Sequence, residues 1–292
     1  MTGTWIEAAI NGPWGSDRQP GVPITVEECI EQGVACAEAG AAIVHVHAFD
    51  PETDEQRDDP DIYARIIEGI QAEVDAIVYP TIPPLGLIEE STMSAEERFS
   101  HQAELGSRGL LEWAVVDPGS TNVTRYEAVE RDEPGSVYEN PESHVREGLE
   151  IAARHGTSPS YAIYEPGFVR LGAALADRYP GIGPPVYRFM FTEEYTFGYP
   201  PEPYALESYT TLLESEAPDA PWMVAGLGVD ITPLIVEAVE RGGHVRVGLE
   251  DAPLGSNRTN VEWVEHARVE IEAAGGTVAT TAEVRAALAG RE

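Results

Sequence analysis

Short runs of β-branched and aromatic residues alternate with amphipathic helical stretches along the whole chain, and no other feature limits the fold as strongly. This alternation is typical of βα units, in which helices join parallel strands and cover the sheet. Eight units in 292 residues favour a closed (β/α)₈ barrel, with an open doubly wound sheet as the alternative. The predicted strands are Trp5 to Ile10, Ile43 to His47, Ala76 to Thr81, Leu111 to Val116, Ser160 to Tyr164, Val186 to Met190, Trp222 to Ala225 and His244 to Val247.

Helices are predicted between these strands and beyond the last one. The length is ordinary for one α/β barrel, so we expect residues 1–292 to form a single domain with a helical extension at its C-terminal end. The helices that the pattern indicates most clearly are Thr25 to Ala39, Pro60 to Val74, Ser94 to Leu105, Pro141 to His155, Phe168 to Tyr179 and Asn260 to Ala273.

The chain is strongly acidic, with a formal net charge of -33, and it contains no lysine. Self-repulsion of this size is usually screened by salt, which favours a salt-accumulating halophile as the source; an acidic surface for a basic partner is the alternative. Nucleic acid is not expected as a ligand, because phosphate binding needs a basic face. The N-terminus lacks the features of a signal peptide and no apolar run reaches the ~18 residues of a membrane helix, so we expect a cytoplasmic protein without a membrane partner.

Two segments are longer than ordinary loops, Asp117 to Asn140 and the aromatic, proline-rich stretch Phe191 to Pro203. Each follows a predicted strand, where barrels place binding elements, so both are candidate substrate covers. The two cysteines, Cys29 and Cys36, are separated by about 10 Å on a predicted helix, so we expect no disulfide between them.

Two histidines stand at the end of the second predicted strand, as His45 and His47. Strand side chains alternate between faces, so both imidazoles point to the same side, at the carboxyl end where barrels assemble active sites. Two such groups are costly to bury without a partner or a metal. They are interpreted as ligands of a catalytic divalent metal, with zinc favoured; satisfied histidines of the barrel rim are the alternative.

A third ligand is expected from another strand end, and Glu250 after the eighth strand supplies a carboxylate. Two histidines and one carboxylate form a common catalytic zinc set. Arg246 shares the parity of Glu250 and is expected to point into the barrel mouth, where Asp251 or a substrate carboxylate would be its counter-ion; a pair that only fixes the loop is the alternative. Without lysine, a barrel that breaks carbon–carbon bonds has no Schiff base and must use a metal.

With these residues in view, the chain resembles the β-keto acid cleavage enzymes, such as those of 3-keto-5-aminohexanoate cleavage, over nearly its whole length. The motifs are weak singly and strong together. The resemblance rests on Ala8 to Gly12, Gly40 to His47, Pro118 to Asn122, Tyr164 to Gly167, Trp222 to Gly228, Gly242 to Asp251, and Asn260.

The resemblance implies a zinc-dependent (β/α)₈ barrel that converts a β-keto acid and acetyl-CoA into acetoacetate and a new acyl-CoA. By matching position, His45, His47 and Glu250 would bind zinc, and Arg246 and Asp251 would form a charge-relay pair. Ser120 and Asn122 would bind the carboxylate of the keto acid, with Thr81 beside them. Relatives form homo-oligomers, so an oligomer is expected here, with a tetramer as the specific guess.

Several positions depart from the family pattern. Trp14 stands where the aminohexanoate enzyme has a glutamate of the relay, which argues against a cationic substrate. The relay pair either works alone or recruits Glu7 or Glu165. Family members commonly carry a glutamate at the position of Ala162. Trp14 and the aromatic loop Phe191 to Tyr199 hint at an apolar substrate tail, with plain loop packing as the alternative. Two other functions stay open: a mononuclear metal hydrolase or lyase, and an inactive metal-binding barrel.

Overall fold

Eight parallel strands form the centre of the computed structural model, which describes residues 3–50, 52–53, 55–87 and 93–289. The prediction of a cytoplasmic protein rests partly on Met1 and Thr2, which lie outside the described residues. The strands are β1 (Ile6–Ala9), β2 (Ile43–Val46), β3 (Ile77–Pro80), β4 (Trp113–Val115), β5 (Ser158–Ile163), β6 (Val186–Phe191), β7 (Trp222–Gly226) and β8 (His244–Val247). All eight predicted strands are therefore confirmed, with boundaries shifted by a few residues.

The strands follow one another around the sheet in the order β3, β2, β1, β8, β7, β6, β5, β4, and every ladder between neighbours is parallel. The two end strands, β3 and β4, contact each other without a ladder of their own. This arrangement confirms the (β/α)₈ barrel and excludes the open doubly wound sheet, in which the end strands stay apart.

Helices cover the outside of the barrel, and several begin with caps that the sequence encodes. Thr25 accepts a hydrogen bond from the amide of Glu28, whose carboxylate accepts one in return. The predicted helix at Ser94 to Leu105 is interrupted at Phe99, where ψ is near 6° and the helix restarts. The helices are Val26–Ala39, Pro60–Glu73, Ala95–Arg98, Ser100–Ser107, Tyr126–Glu130, Glu142–His155, Pro166–Ala176, Pro203–Glu216, Thr232–Glu240, Asn260–Ala273 and Thr281–Ala289.

The last helix closes the amino-terminal end of the barrel. Val284 and Leu288 belong to the apolar cluster that fills the lower barrel interior with Trp5 and Trp113. The hydroxyl of Thr281 donates to the backbone carbonyl of Asp75, just before β3, at 2.7 Å. In the part of the chain that the structure describes, this helix covers the amino-terminal end of the barrel, and the opposite, carboxyl-terminal end is where barrels place their sites.

The two long segments that the sequence indicates as covers pack against each other at the carboxyl-terminal end. The first contains a hairpin, Thr121–Val123 with Ser136–Tyr138, and a short helix. The amide of Tyr126 donates to the carbonyl of Glu194 at 3.0 Å, and Arg125 binds the hydroxyl of Tyr195. Their role as substrate covers remains a prediction.

Two further expectations concern the cysteines and the membrane. Cys29 and Cys36 are both free and buried, as their spacing predicts. Among the described residues, the search for a helix with the length and apolar character of a membrane span finds none.

Candidate metal centre and active site

His45, His47 and Glu250 converge at the carboxyl-terminal end of the barrel. His45 belongs to β2, His47 follows it, and Glu250 follows β8. The Nε2 atoms of His45 and His47 lie 3.6 and 3.5 Å from the two carboxylate oxygens of Glu250. One ligand atom from each residue lies within 4.8 Å of the other two. In the described part of the chain, this is the one group of three or more His, Cys, Asp or Glu side chains that could hold a metal ion. The three ligands predicted from the sequence are brought together.

The unused polar atoms of this cluster fit a bound cation. Nε2 of His47 and Oε2 of Glu250 are buried, and neither has a hydrogen-bond partner. Burial lowers the pKa of His45 well below its ordinary value, so the imidazole is neutral. Burial acts to raise the pKa of Glu250, but Arg246 and the two histidines hold it well below the usual range. Neutral imidazoles and an ionised carboxylate are the forms that bind metals.

A chain of hydrogen bonds behind His47 fixes the orientation of its ring. Nδ1 of His47 lies 2.9 Å from Oε1 of Gln56. The Gln56 amide nitrogen donates to Asp58, and Asp58 accepts a hydrogen bond from the Tyr63 hydroxyl at 2.7 Å. Because Gln56 offers an oxygen, Nδ1 of His47 carries the proton and Nε2 presents its lone pair to the cluster.

Arg246 is the centre of a buried ionic network beside the metal ligands. It contacts Asp251 through two nitrogens at 2.9 and 2.8 Å, Glu7 at 2.9 Å and Glu250 at 2.7 Å. Glu7 also accepts a hydrogen bond from the Tyr79 hydroxyl at 2.6 Å. Of the two carboxylates left open as further members of the relay, Glu7 contacts Arg246. The carboxylate of Glu165 accepts a hydrogen bond from Thr121 instead.

Asp251 is fully enclosed with this arginine. Burial raises the pKa of Asp251 to about 6, and the Arg246 guanidinium opposes that rise. Two hydrogen bonds from Arg246 occupy one lone pair on each carboxylate oxygen, and the remaining lone pairs leave each oxygen able to accept another proton.

Trp14 packs against the loop that carries Glu250. Its indole nitrogen donates to the backbone carbonyl of Glu250 at 2.7 Å, and its ring stacks under the guanidinium of Arg18. Gly12 stands two residues before it with φ near +67°, and a Cβ there would meet the Glu250 side chain at 2.5 Å. The segment thus supports the metal ligand, while contact of Trp14 with a substrate tail stays a prediction.

The residues predicted to bind the substrate carboxylate lie on the loops after β3 and β4. Thr81 is buried, and its carbonyl accepts a hydrogen bond from His101 at 2.8 Å. The Ser120 hydroxyl accepts one from the amide of Asn140 at 2.7 Å, and Ser120 and Asn122 are both exposed. Their roles in binding substrate stay predictions.

Two polar residues near the candidate metal ligands, Gln56 and Arg188, were missed by the sequence analysis. Gln56 lies in a two-residue strand, Glu55–Gln56, whose sequence carries no motif. Arg188 is the one charged residue within the apolar strand β6, and it is only 3% exposed. A lone charge inside an apolar strand is the signal that would have found it, since such a charge is rarely buried without a role.

The sequence matches a known family over almost its whole length. A family model described as beta-keto acid cleavage enzyme matches residues 4–289. The chain is 30% identical to the 3-oxoadipate:acetyl-CoA acetyltransferase of Cupriavidus necator, over 97% of this chain and 93% of that protein. It is 25% identical to the 3-dehydrocarnitine:acetyl-CoA trimethylamine transferase of Rhizobium meliloti, over 96% and 94% of the two chains. Identity to the 3-keto-5-aminohexanoate cleavage enzyme of Acetoanaerobium sticklandii is 26%, over 96% of each chain.

Solved structures agree on the fold. ObcA in its apo form superposes with a TM-score of 0.73 at 19% identity, covering 92% of this chain and 66% of ObcA. A type I 3-dehydroquinate dehydratase from Clostridium difficile superposes with a TM-score of 0.56 at 9% identity, covering 94% of both chains. At these identities the likeness supports the barrel architecture alone.

Proposed function

The chain belongs to the family of β-keto acid cleavage enzymes, and on that basis we propose that it is a zinc-dependent acyltransferase that acts on a β-keto acid and acetyl-CoA. The reaction gives acetoacetate and a new acyl-CoA. The observation that carries the proposal is the convergence of His45, His47 and Glu250, with buried ligand atoms that lack partners, in a chain that the family model matches from end to end.

The proposed reaction exchanges two acyl groups and balances without a further reactant. In a β-keto acid, R–CO–CH₂–COO⁻, loss of a proton from the CH₂ group creates a carbon nucleophile that attacks the acetyl carbonyl of acetyl-CoA. The CoA thiolate leaves and then attacks the ketone that bears R. The bond between that ketone and the CH₂ carbon breaks, which gives R–CO–SCoA and acetoacetate, and the proton removed first is returned.

His45, His47 and Glu250 would hold the metal, and two histidines with one carboxylate favour zinc. When bound, the metal supplies a Lewis acid for the negative charge that develops on the keto acid. We assign the CH₂ proton to Asp251, which Arg246 orients through two hydrogen bonds. Glu7 holds the far side of Arg246, and Ser120, Asn122 and Thr81 would bind the keto acid carboxylate.

The acyl group R is the part of the substrate that differs among the relatives. Their names describe an anionic group in 3-oxoadipate, a cationic group in 3-dehydrocarnitine and an amine in 3-keto-5-aminohexanoate. Trp14, which donates a hydrogen bond to the Glu250 carbonyl, stands at the position where the aminohexanoate enzyme has a glutamate suited to an amine. This supports a substrate whose R group is not cationic.

The test is to incubate zinc-loaded protein with acetyl-CoA and a panel of β-keto acids that differ in R, in buffer with molar salt. We expect acetoacetate and the matching acyl-CoA in equal amounts. If acetoacetate forms with no member, the transferase proposal is wrong. Metal analysis then narrows the remaining hypotheses. A sample that retains zinc after purification in its presence fits a hydrolase, a lyase or an inactive metal-binding barrel, whereas a sample free of zinc favours an inactive barrel without a metal role.

We further propose that the protein is a homo-oligomer, with a tetramer as the specific expectation, and that it works in a salt-rich cytoplasm. The formal charge of -33 supports a dependence on screening ions. Light scattering after size-exclusion chromatography at high and low salt measures the oligomeric state and its dependence on salt. A monomer under all conditions would contradict the homo-oligomer.

A further inference from the structure

Arg188 is a buried cation whose hydrogen-bonding capacity is poorly satisfied. Its side chain is 4% exposed, its Nε has no partner, and one terminal nitrogen lies at 3.4 Å from the carbonyl of Ser160. The nearest carboxylate oxygen, on Asp117, is 3.8 Å away, beyond hydrogen-bond range. Asp117 is itself engaged, since it accepts hydrogen bonds from the Tyr138 hydroxyl and the amide of Ala162.

The contrast with Arg246 shows how unusual this is within one barrel. Arg246 is equally buried and contacts three carboxylates, of Glu7, Glu250 and Asp251, at 2.7 to 2.9 Å. Burying a guanidinium without a close anion is costly, and a fixed cation of this kind is suited to bind a planar anionic ligand. Arg188 therefore has one long ion pair, with Asp117 at 3.8 Å, where Arg246 has three close ones.

The position of Arg188 puts it across the barrel from the metal ligands. It lies on β6, the strand diametrically opposite β2. The positive charge of Arg188 is one of the groups that lower the pKa of His45. Its neighbour in register on β5 is Ala162, and its neighbour on β7 is Met223. Because a barrel staggers its strands by about one residue each, Ala162 lies above Arg188 toward the site and Met223 below.

The side chains above Arg188 are small or adaptable. Ala162 and Ala225 form a separate inward cluster with Met190, with Tyr164 and Leu227 packed against it. The flanking strands thus contribute only small alanine side chains at this level, and methionine adapts its shape to a ligand. The wall opposite the metal is therefore apolar and contains one poorly paired cation.

From this arrangement we infer that Arg188 binds an anionic group at the far end of the acyl part of the substrate, so that the enzyme acts on dicarboxylic β-keto acids. The inference rests on the proposed function, in which the ketone and carboxylate end of the substrate lies at the metal. The R group then points toward β6, and its terminal carboxylate supplies Arg188 with a close counter-ion, which Asp117 at 3.8 Å does not provide. Met190, Ala162 and Ala225 would enclose the intervening methylene groups.

The experiment compares two acids that differ in one terminal group, 3-oxoadipate and 3-oxohexanoate. The zinc-loaded protein is titrated with each acid without acetyl-CoA, and the rates of acetoacetate formation are measured in parallel with acetyl-CoA. We expect a preference of about tenfold or more for 3-oxoadipate, in affinity and in kcat/KM, as is typical of a hydrogen bond between charged groups. Arg188→Met removes the preference, and Arg188→Lys restores part of it.

Each outcome separates this inference from the proposed function. Acetoacetate formation with equal preference for the two acids overturns the role of Arg188 and leaves the reaction intact. Equal losses for both acids in Arg188→Met also overturn it, because the arginine would then bind the carboxylate that the two acids share. Preferential binding of 3-oxoadipate without any acetoacetate supports Arg188 and overturns the reaction, whereas binding of neither acid overturns both. Zinc content and circular dichroism of each variant establish that it is folded and loaded.

Discussion

The two walls of the barrel mouth are built on opposite principles. On the wall of β1, β2 and β8, the charged groups contact one another at hydrogen-bond distance, and Arg246 is surrounded by carboxylates. On the wall of β5, β6 and β7, Ala162, Met190 and Ala225 form an apolar cluster, and the carboxylate oxygen nearest to Arg188 is 3.8 Å away. The first wall is organised before substrate arrives, as chemistry that is common to a family requires. On the second wall, Arg188 is left without a close carboxylate, and a substrate that supplies one would be selected over a substrate that does not.

The largest expected effect is the loss of a ligand from the first wall. His47→Ala should lower zinc affinity by more than about 100-fold, because losing a ligand costs more than the ~10–100-fold typical of its supporting groups. Competition with a chelating dye measures this affinity. The matched control is His266→Ala, on the helix Asn260–Ala273, which should leave zinc affinity unchanged. If His47→Ala binds zinc as tightly as the parent protein, the metal is not bound at this wall.

The next effect compares the two arginines directly. Arg246→Met leaves three buried carboxylates without their cation and should lower the free energy of unfolding by about 3–5 kcal/mol. Arg188→Met removes a cation without a close partner and should change it by less than about 1 kcal/mol. Urea unfolding of the two variants at the same salt concentration measures both values. Similar losses of unfolding free energy in the two variants would show that the two arginines are equally well paired.

A smaller effect is expected from the support behind His47. Gln56→Leu removes the acceptor at 2.9 Å from Nδ1 of His47 and should weaken zinc binding by about 10–100-fold without unfolding the protein. Gln56→Glu keeps the acceptor but replaces the amide that donates to Asp58 with a second carboxylate, so it should restore only part of the affinity. If Gln56→Leu binds zinc as the parent does, the orientation of His47 is fixed by packing alone.

The smallest effect is expected outside both walls, at His101. Burial lowers the pKa of His101, which donates to the carbonyl of Thr81 as a neutral ring. Below a pH of about 6.5 the unfolded chain binds a proton that the folded one excludes, so this contribution to stability falls as the pH falls through that value. His101→Gln should flatten the pH dependence of the unfolding free energy between pH 5 and about 7. An unchanged slope would mean that His101 protonates equally in both states.

Local patterns were enough to predict the fold and the three residues that converge as candidate metal ligands. Each strand of the barrel is encoded by consecutive residues, and the period of two places His45 and His47 on one face without knowledge of any partner. Arg246 follows from the same period on β8, and Glu250 from its position just after the end of that strand. The break at Phe99 was missed because a helix that restarts within one turn keeps its apolar spacing.

The sequence by itself determined the strand periodicity, the barrel class and the chemistry of the metal ligands, because these depend on neighbours along the chain. Only the tertiary structure decided which charges are satisfied. Glu7 reaches Arg246 across 239 positions, and Gln56 reaches His47 from a loop without a motif. The register of β5 sets Ala162, which offers no counter-charge, beside Arg188. Such pairings depend on register and on distances of a few tenths of an ångström, which arise when the barrel closes.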